Sequence, residues 1–143
     1  MCSSAKCVSF CCLFTGAKLN PRWASTNAWR VKNKGKWLLR ITVSPKGNWS
    51  INHWHITCNY FLDILHGECN DSVLFEKYKE IVLSNLRYCK GCASCKPGTN
   101  KVIFGENFDL LCHGFFNFTS PDATTIECAK MLLECKKKAI ANL

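Results

Sequence analysis

From Trp29 onward, apolar residues recur at every second position. Trp29 and Val31 lead into Asn33-Lys34-Gly35-Lys36, where the glycine predicts a tight turn with positive φ. Beyond the turn, Trp37, Leu39, Ile41 and Val43 alternate with Leu38, Arg40 and Thr42, which predicts a second strand with Trp37 on the face of Leu39 and Ile41. Ser44-Pro45-Lys46-Gly47-Asn48 is a second turn, and Trp49 to Thr57 a third strand. There Trp49 and Ile51 take one face and Trp54 and Ile56 the other, so a bulge is expected near Asn52-His53. The result is a three-stranded antiparallel meander over 28–57.

The period then changes. Leu74, Tyr78, Ile81, Val82 and Leu86 form a helical stripe that predicts a helix over 72–87, capped by Asp71 or Ser72. Val102 to Gly105 and Phe108 to Phe118 read as a hairpin over 101–118, turning at Gly105-Glu106-Asn107. Ser120-Pro121-Asp122 predicts the start of a last helix over 121–140, with the Ser120 hydroxyl as cap and Pro121 as first helical residue. Cys128, Met131, Leu132, Cys135 and Ala139 make its apolar stripe, so Cys128 and Cys135 are read as small core residues. Lys136 to Lys138 are expected to complement the helix dipole. The fold class is therefore α+β: an antiparallel Trp-rich sheet plus a hairpin, packed against two helices, with a cysteine knuckle. Residues 23–143 form one domain, with the knuckle at 89–113. Residues 1–22, with Cys2, Cys7, Cys11 and Cys12 at no clear period, read as a Cys-rich leader or tail.

Composition narrows the classes. With 143 residues, 48% hydrophobic and 20% charged, the chain is long and apolar enough to bury a core. No apolar run reaches the roughly 20 residues of a membrane span. Nineteen Lys+Arg against 10 Asp+Glu give a net charge of +9, which favours polyanionic partners such as nucleic acid or an acidic membrane surface.

Twelve cysteines carry the chemistry. Cys89-x2-Cys92-x2-Cys95 is followed, after sixteen intervening residues, by Cys112-His113. Thiolates this close in sequence converge on one ion without closing a long loop, and two close ligands meeting others from a later strand is the layout of tetrahedral zinc. The expected site is structural zinc on Cys89, Cys92, Cys95 and Cys112, with His113 as the alternative fourth ligand. An iron–sulfur cluster is the alternative, since C-x2-C-x2-C resembles the start of a ferredoxin site, although the near C-x3-C-P continuation is missing. Reduced thiols or a disulfide are the bland reading. A secreted disulfide scaffold is a further alternative: Lys6, the apolar run Cys7 to Phe14 and Thr15-Gly16-Ala17 resemble a short signal, and Asn48, Asn70 and Asn117 begin N-x-S/T sequons. A reducing, cytoplasmic interior is the favoured expectation.

The run C-x2-C-x2-C-x-P-G, then Val102-Ile103-Phe104-Gly105 and Phe108, then Cys112, Phe118, Pro121-Asp122 and Glu127-Cys128, resembles the C-terminal part of small uncharacterised bacterial proteins. Those chains also have a G-K-W segment similar to Gly35-Lys36-Trp37. The resemblance covers roughly residues 28–140, implies one intact domain and brings no assigned activity.

Catalysis has little behind it. No glycine-rich phosphate loop, G-x-S-x-G or H-E-x-x-H occurs, and Cys112 and His113, as strand neighbours, point to opposite faces. A binding module is the better class. Arg30, Lys32, Lys34, Lys36, Arg40 and Lys46 interleave with Trp29, Trp37 and Trp49, a composition that suits single-stranded nucleic acid, with bases on aromatic rings and cations on phosphates. The competing view places the tryptophans in the core and the lysines on a solvated rim. The position of Trp37 separates the two.

Overall fold

A computed structural model describes residues 19, 21–53, 72–91 and 98–141. The expected leader, Trp54 to Ile56, Asp71, Cys92 and Cys95 lie outside the described residues, apart from Leu19, Pro21 and Arg22. The chain forms β1 (Arg22–Ser25), β2 (Ala28–Asn33), β3 (Lys36–Val43) and β4 (Trp49–His53). Next come α1 (Ser72–Ser84), β5 (Leu86–Tyr88), β6 (Thr99–Ile103), β7 (Glu106–Thr119) and α2 (Ala123–Ala141). The α+β class follows directly, with every strand pairing antiparallel.

The meander forms over the described residues 28–53, and β1 extends it at the β2 edge. The strand order is β1-β2-β3-β4-β7-β5, with β6 also paired to β7. Arg22, placed in the leader by the sequence, is the first residue of β1. The β2–β3 turn has both central residues at positive φ, Lys34 at 47° and Gly35 at 76°, the twist that a two-residue hairpin needs.

Three expectations are corrected. The β6–β7 turn is Phe104-Gly105 rather than 105–107: both residues take positive φ, and Ile103 pairs directly with Glu106. The first helix ends at Ser84 because Asn85 closes it, its side-chain amide donating to the Ile81 carbonyl at 2.8 Å and its backbone N–H to the Val82 carbonyl at 3.2 Å. Leu86 then continues as strand β5. In α2 the cap is Asp122, not Ser120: its Oδ1 accepts from the Thr125 N–H at 2.8 Å, and Pro121 precedes the cap. Ser120 instead takes φ 46° and its N–H donates to the Trp49 carbonyl at 2.7 Å, tying the helix entry to β4.

One face of the sheet carries Val31, Leu39, Ile41, Ile51, Phe116 and Phe118, all buried, and packs under the helices. Phe116 and Phe118 stack with nearly parallel rings, their centroids 6.5 Å apart. From α2, Ile126, Cys128, Ala129, Leu132, Leu133, Cys135 and Ala139 complete the core, so both cysteines are core residues as expected. Val82 contributes from α1, and Lys77 meets Glu127 across the two helices at 3.4 Å. At roughly 25 cal/mol per Å² of apolar area, such burial is the dominant stabilising contribution. Lys136 departs from its expected place. It is only 2% exposed and donates to the backbone carbonyl of Leu38 rather than facing solvent at the helix end.

Candidate nucleic-acid interface and metal knuckle

The expected bulge at Asn52-His53 is absent from the described part of β4, which keeps unbroken register with β7 from Ser50 to His53. It lies instead in β3. Val31 pairs with Leu39 and Lys32 with Trp37, leaving Leu38 as the extra residue. Leu38 and Leu39 are both buried, as in a bulge whose two residues lean to one side. The alternation therefore shifts by one, and Trp37 leaves the face of Leu39 and Ile41 for the opposite, polar face.

On that face Trp37 meets cations from the neighbouring strand. The Arg30 guanidinium carbon lies 4.7 Å from the Trp37 ring centroid and the Lys32 ammonium 4.1 Å. Each contact contributes about 0.5–1 kcal/mol at an accessible site. A cleft of about 670 Å³ opens here, lined among others by Arg22, Trp23, Arg30, Lys32, Lys34 and Trp37. Lys36 is exposed at the same hairpin end.

The other two tryptophans expected on this face are elsewhere. Trp49 is buried in the core. Trp29 pairs in register with core Ile41 and meets Trp23 edge to face, with centroids 5.4 Å apart. The competing reading thus holds for Trp49, but Trp37 stands half-buried among cations.

Register adds residues that the sequence alone did not single out. Arg22 pairs with Arg30, Arg30 with Arg40, Arg40 with Asn52 and Asn52 with Asn117, one continuous row across five strands. Ser50 and Thr119, also paired, lie two residues from the two asparagines. The Asn52 amide donates to Ser50 Oγ and the Asn117 amide to Thr119 Oγ1, each at 3.3 Å. Ser50 Oγ and Thr42 Oγ1 share a 2.6 Å hydrogen bond. Finding the row from sequence would have required the bulge at Leu38, which fixes which of Trp37 and Leu39 faces the arginines.

The knuckle is described at its two ends. Leu111 pairs with Tyr88 of β5 and with Thr99 of β6, which therefore flank β7 on opposite edges. Cys89 N–H donates to the Leu110 carbonyl at 2.7 Å. Gly98 approaches the same point: a Cβ there would stand 2.7 Å from the Cβ of Cys89 and from the Leu110 carbonyl. The two ends of segment 89–98 thus meet over Leu110.

Cys112 follows immediately. Leu110 is 57% exposed, Leu111 is fully buried and Cys112 is half-buried. Cys89 and Cys112 each directly follow one member of the Tyr88–Leu111 pair. Between Tyr88–Leu111 and Leu86–Phe116, β5 advances two residues while β7 advances five, so Cys112 and His113 lie in a bulged stretch. Cys89 and Cys112 are free thiols. Cys92, Cys95 and the His113 side chain lie outside the described residues, and among the described residues no three His, Cys, Asp or Glu side chains cluster.

No family model, curated protein or solved structure matches this chain. Among the described residues no helix is long and apolar enough to cross a membrane.

Proposed function

We propose that this chain is a small metal-stabilised binding module whose basic sheet face takes single-stranded nucleic acid. The observation that carries the reading is the pair of cations, Arg30 and Lys32, gathered on the ring of Trp37 beside Arg22 and Lys34. An aromatic ring set among fixed cations offers a base a stacking surface and its phosphate a counter-charge in one place. The chain's +9 charge adds long-range attraction for a polyanion.

The metal half of the proposal is zinc held by Cys89, Cys92, Cys95 and Cys112, with His113 able to replace one thiolate. Its support is that Cys89 and Cys112 each follow one member of the Tyr88–Leu111 pair, with the two ends of the C-x2-C-x2-C segment drawn together at Leu110. A closed four-ligand shell would clamp β5, β6 and β7 together and contribute folding free energy. Zinc here is structural, and the ligand-binding surface lies on other strands.

The test is fluorescence anisotropy of the full chain with labelled oligouridylate and oligothymidylate. Binding is expected at low salt and should fall steeply between about 50 and 200 mM, because each neutralised phosphate releases counterion. A chain that retains neither oligonucleotide at low salt overturns the nucleic-acid reading. Elemental analysis tests the metal: about one zinc per chain is expected, and iron with absorbance near 400 nm would move the chain to the iron–sulfur class.

A further inference from the structure

We infer that a bound single strand crosses the sheet perpendicular to the β-strands, along the row Arg22–Arg30–Arg40–Asn52–Asn117. Its phosphates lie on the three arginines and its bases are read by the two asparagines. This rests on the single-strand reading proposed above and adds its path, its polarity of contacts and its source of base preference.

The row is set by backbone register. Its members are successive cross-strand partners, so they share one face and repeat at the inter-strand spacing. Five positions at roughly 4.8 Å per step span about 19 Å. That length suits a short segment, at the low end of the roughly 4–16 nucleotides that one OB fold covers.

The chemistry divides the row in two. Arg22, Arg30 and Arg40 put three guanidinium groups at directly paired positions, where like charges oppose one another. A phosphate backbone laid across that placement meets three positive charges in line and accepts planar donor forks in pairs. Arg30, already over Trp37, links the track to the aromatic ring, so a base adjacent to its phosphate can stack there.

Beyond Arg40 the charge stops and amides take over. Asn52 and Asn117 are each held along their own strand by a hydroxyl two residues away, Ser50 and Thr119. One amide hydrogen is used in that bond, which leaves each side chain a second N–H and both lone pairs of its carbonyl oxygen. A donor and an acceptor side by side match the edge of a base, adenine above all, and carry no charge for a phosphate. Contacts that position the strand and contacts that read it therefore occupy opposite ends of one line.

Salt titrations separate the two kinds of contact. With a labelled mixed-sequence single strand and the full chain, Arg22→Gln, Arg30→Gln and Arg40→Gln should each reduce the slope of log K against log salt by about 0.7. Asn52→Ala and Asn117→Ala should leave that slope unchanged, lower affinity several-fold and flatten the difference between oligoadenylate and oligouridylate. Melting curves establish that each variant folds. For a variant that does not, cross-linking of a 4-thiouridine strand to the wild-type chain supplies the readout, with cross-links expected on β1 to β4 and the C-terminal end of β7. If the wild type binds single strands while Arg40→Gln, Asn52→Ala and Asn117→Ala behave like it, the path is wrong and the binding reading stands. Cross-links confined to the 34–37 turn would overturn the path in the same way. If the wild type binds no single strand, both fall together.

Discussion

The buried ammonium of Lys136 donates a hydrogen bond to the carbonyl of Leu38, the residue that the β3 bulge leaves without a cross-strand partner in β2. A bulge frees a carbonyl from the ladder, and a cation brought from α2 satisfies it inside the core. Lys136→Met is therefore expected to cost about 1–3 kcal/mol, the penalty of a buried acceptor losing its donor. Lys137→Met, which breaks the Lys137–Glu134 pair at 2.9 Å near the surface, should stay within about 0.5 kcal/mol. Urea denaturation of the two variants checks this.

Gly98 gives a second expectation. A methyl group at this position would press on both Cys89 and the Leu110 backbone. Gly98→Ala should destabilise by about 1–3 kcal/mol through overpacking. If the knuckle holds metal, the same change should lower zinc content, because it pushes apart the two ends that bring the thiols together. A variant with an unchanged melting temperature would show that the ends are not closely packed.

For the knuckle itself, Cys92→Ser is expected to lose the proposed zinc and lower the melting temperature, as a chelator should do to the wild type. Cys128→Ser should keep full zinc content and lose only packing, since Cys128 is buried in α2. Metal retained by Cys92→Ser would remove that residue from the ligand set. A count of free thiols near zero after unfolding would point to a disulfide scaffold instead.

Trp37→Ala should weaken single-strand binding by about 1–3 kcal/mol if a base stacks on the ring. Charge reversal at Lys34 and Lys36 should weaken it further and reduce the salt dependence, while the exposed hairpin keeps the fold intact. Equilibrium binding at two salt concentrations, with melting curves as the control, measures both.

Asp122 makes stability depend on pH. The Thr125 hydroxyl and the Thr125 N–H both bond its carboxylate and hold its pKa below the ordinary carboxylate value. A lowered folded-state pKa means the contribution is present above the unfolded value near 4 and fades as pH falls through the folded value. Asp122→Asn, also a good cap, should keep stability near neutral pH and lose that part of the acid dependence. Asp122→Ala should be less stable throughout the neutral range. Melting temperatures from pH 7 down to about 2 decide the matter.

Much of the architecture was legible because alternation is unambiguous where polar and apolar residues trade places, as along 39–43 and 28–31. It failed at Leu38-Leu39, two consecutive leucines that satisfy either phase, so the bulge and the direction of Trp37 were hidden. Ser120-Pro121-Asp122 offers two capping side chains, and only the backbone shows that Asp122 is used. Strand β5 is three residues long, and its Leu86 also fits the helical stripe of α1. For the candidate sites, Arg30, Lys32, Lys34 and Trp37 were visible as composition and are gathered in space at one cleft. Arg22, Asn52 and Asn117 were not, since their relation exists only through pairing with distant strands.

Strand β7 serves as the seam of the sheet. Among the described strands it alone is paired with β5 and β6, and its ladder to the meander is four residue pairs, Ser50–His53 with Phe116–Thr119. The knuckle sits on one wing of that seam and the arginine row reaches it only at its last member, Asn117. If the knuckle holds zinc as proposed, stripping it should therefore loosen the β5–β6 wing first, in hydrogen exchange as fast opening around Leu110, while the Trp37 wing stays closed.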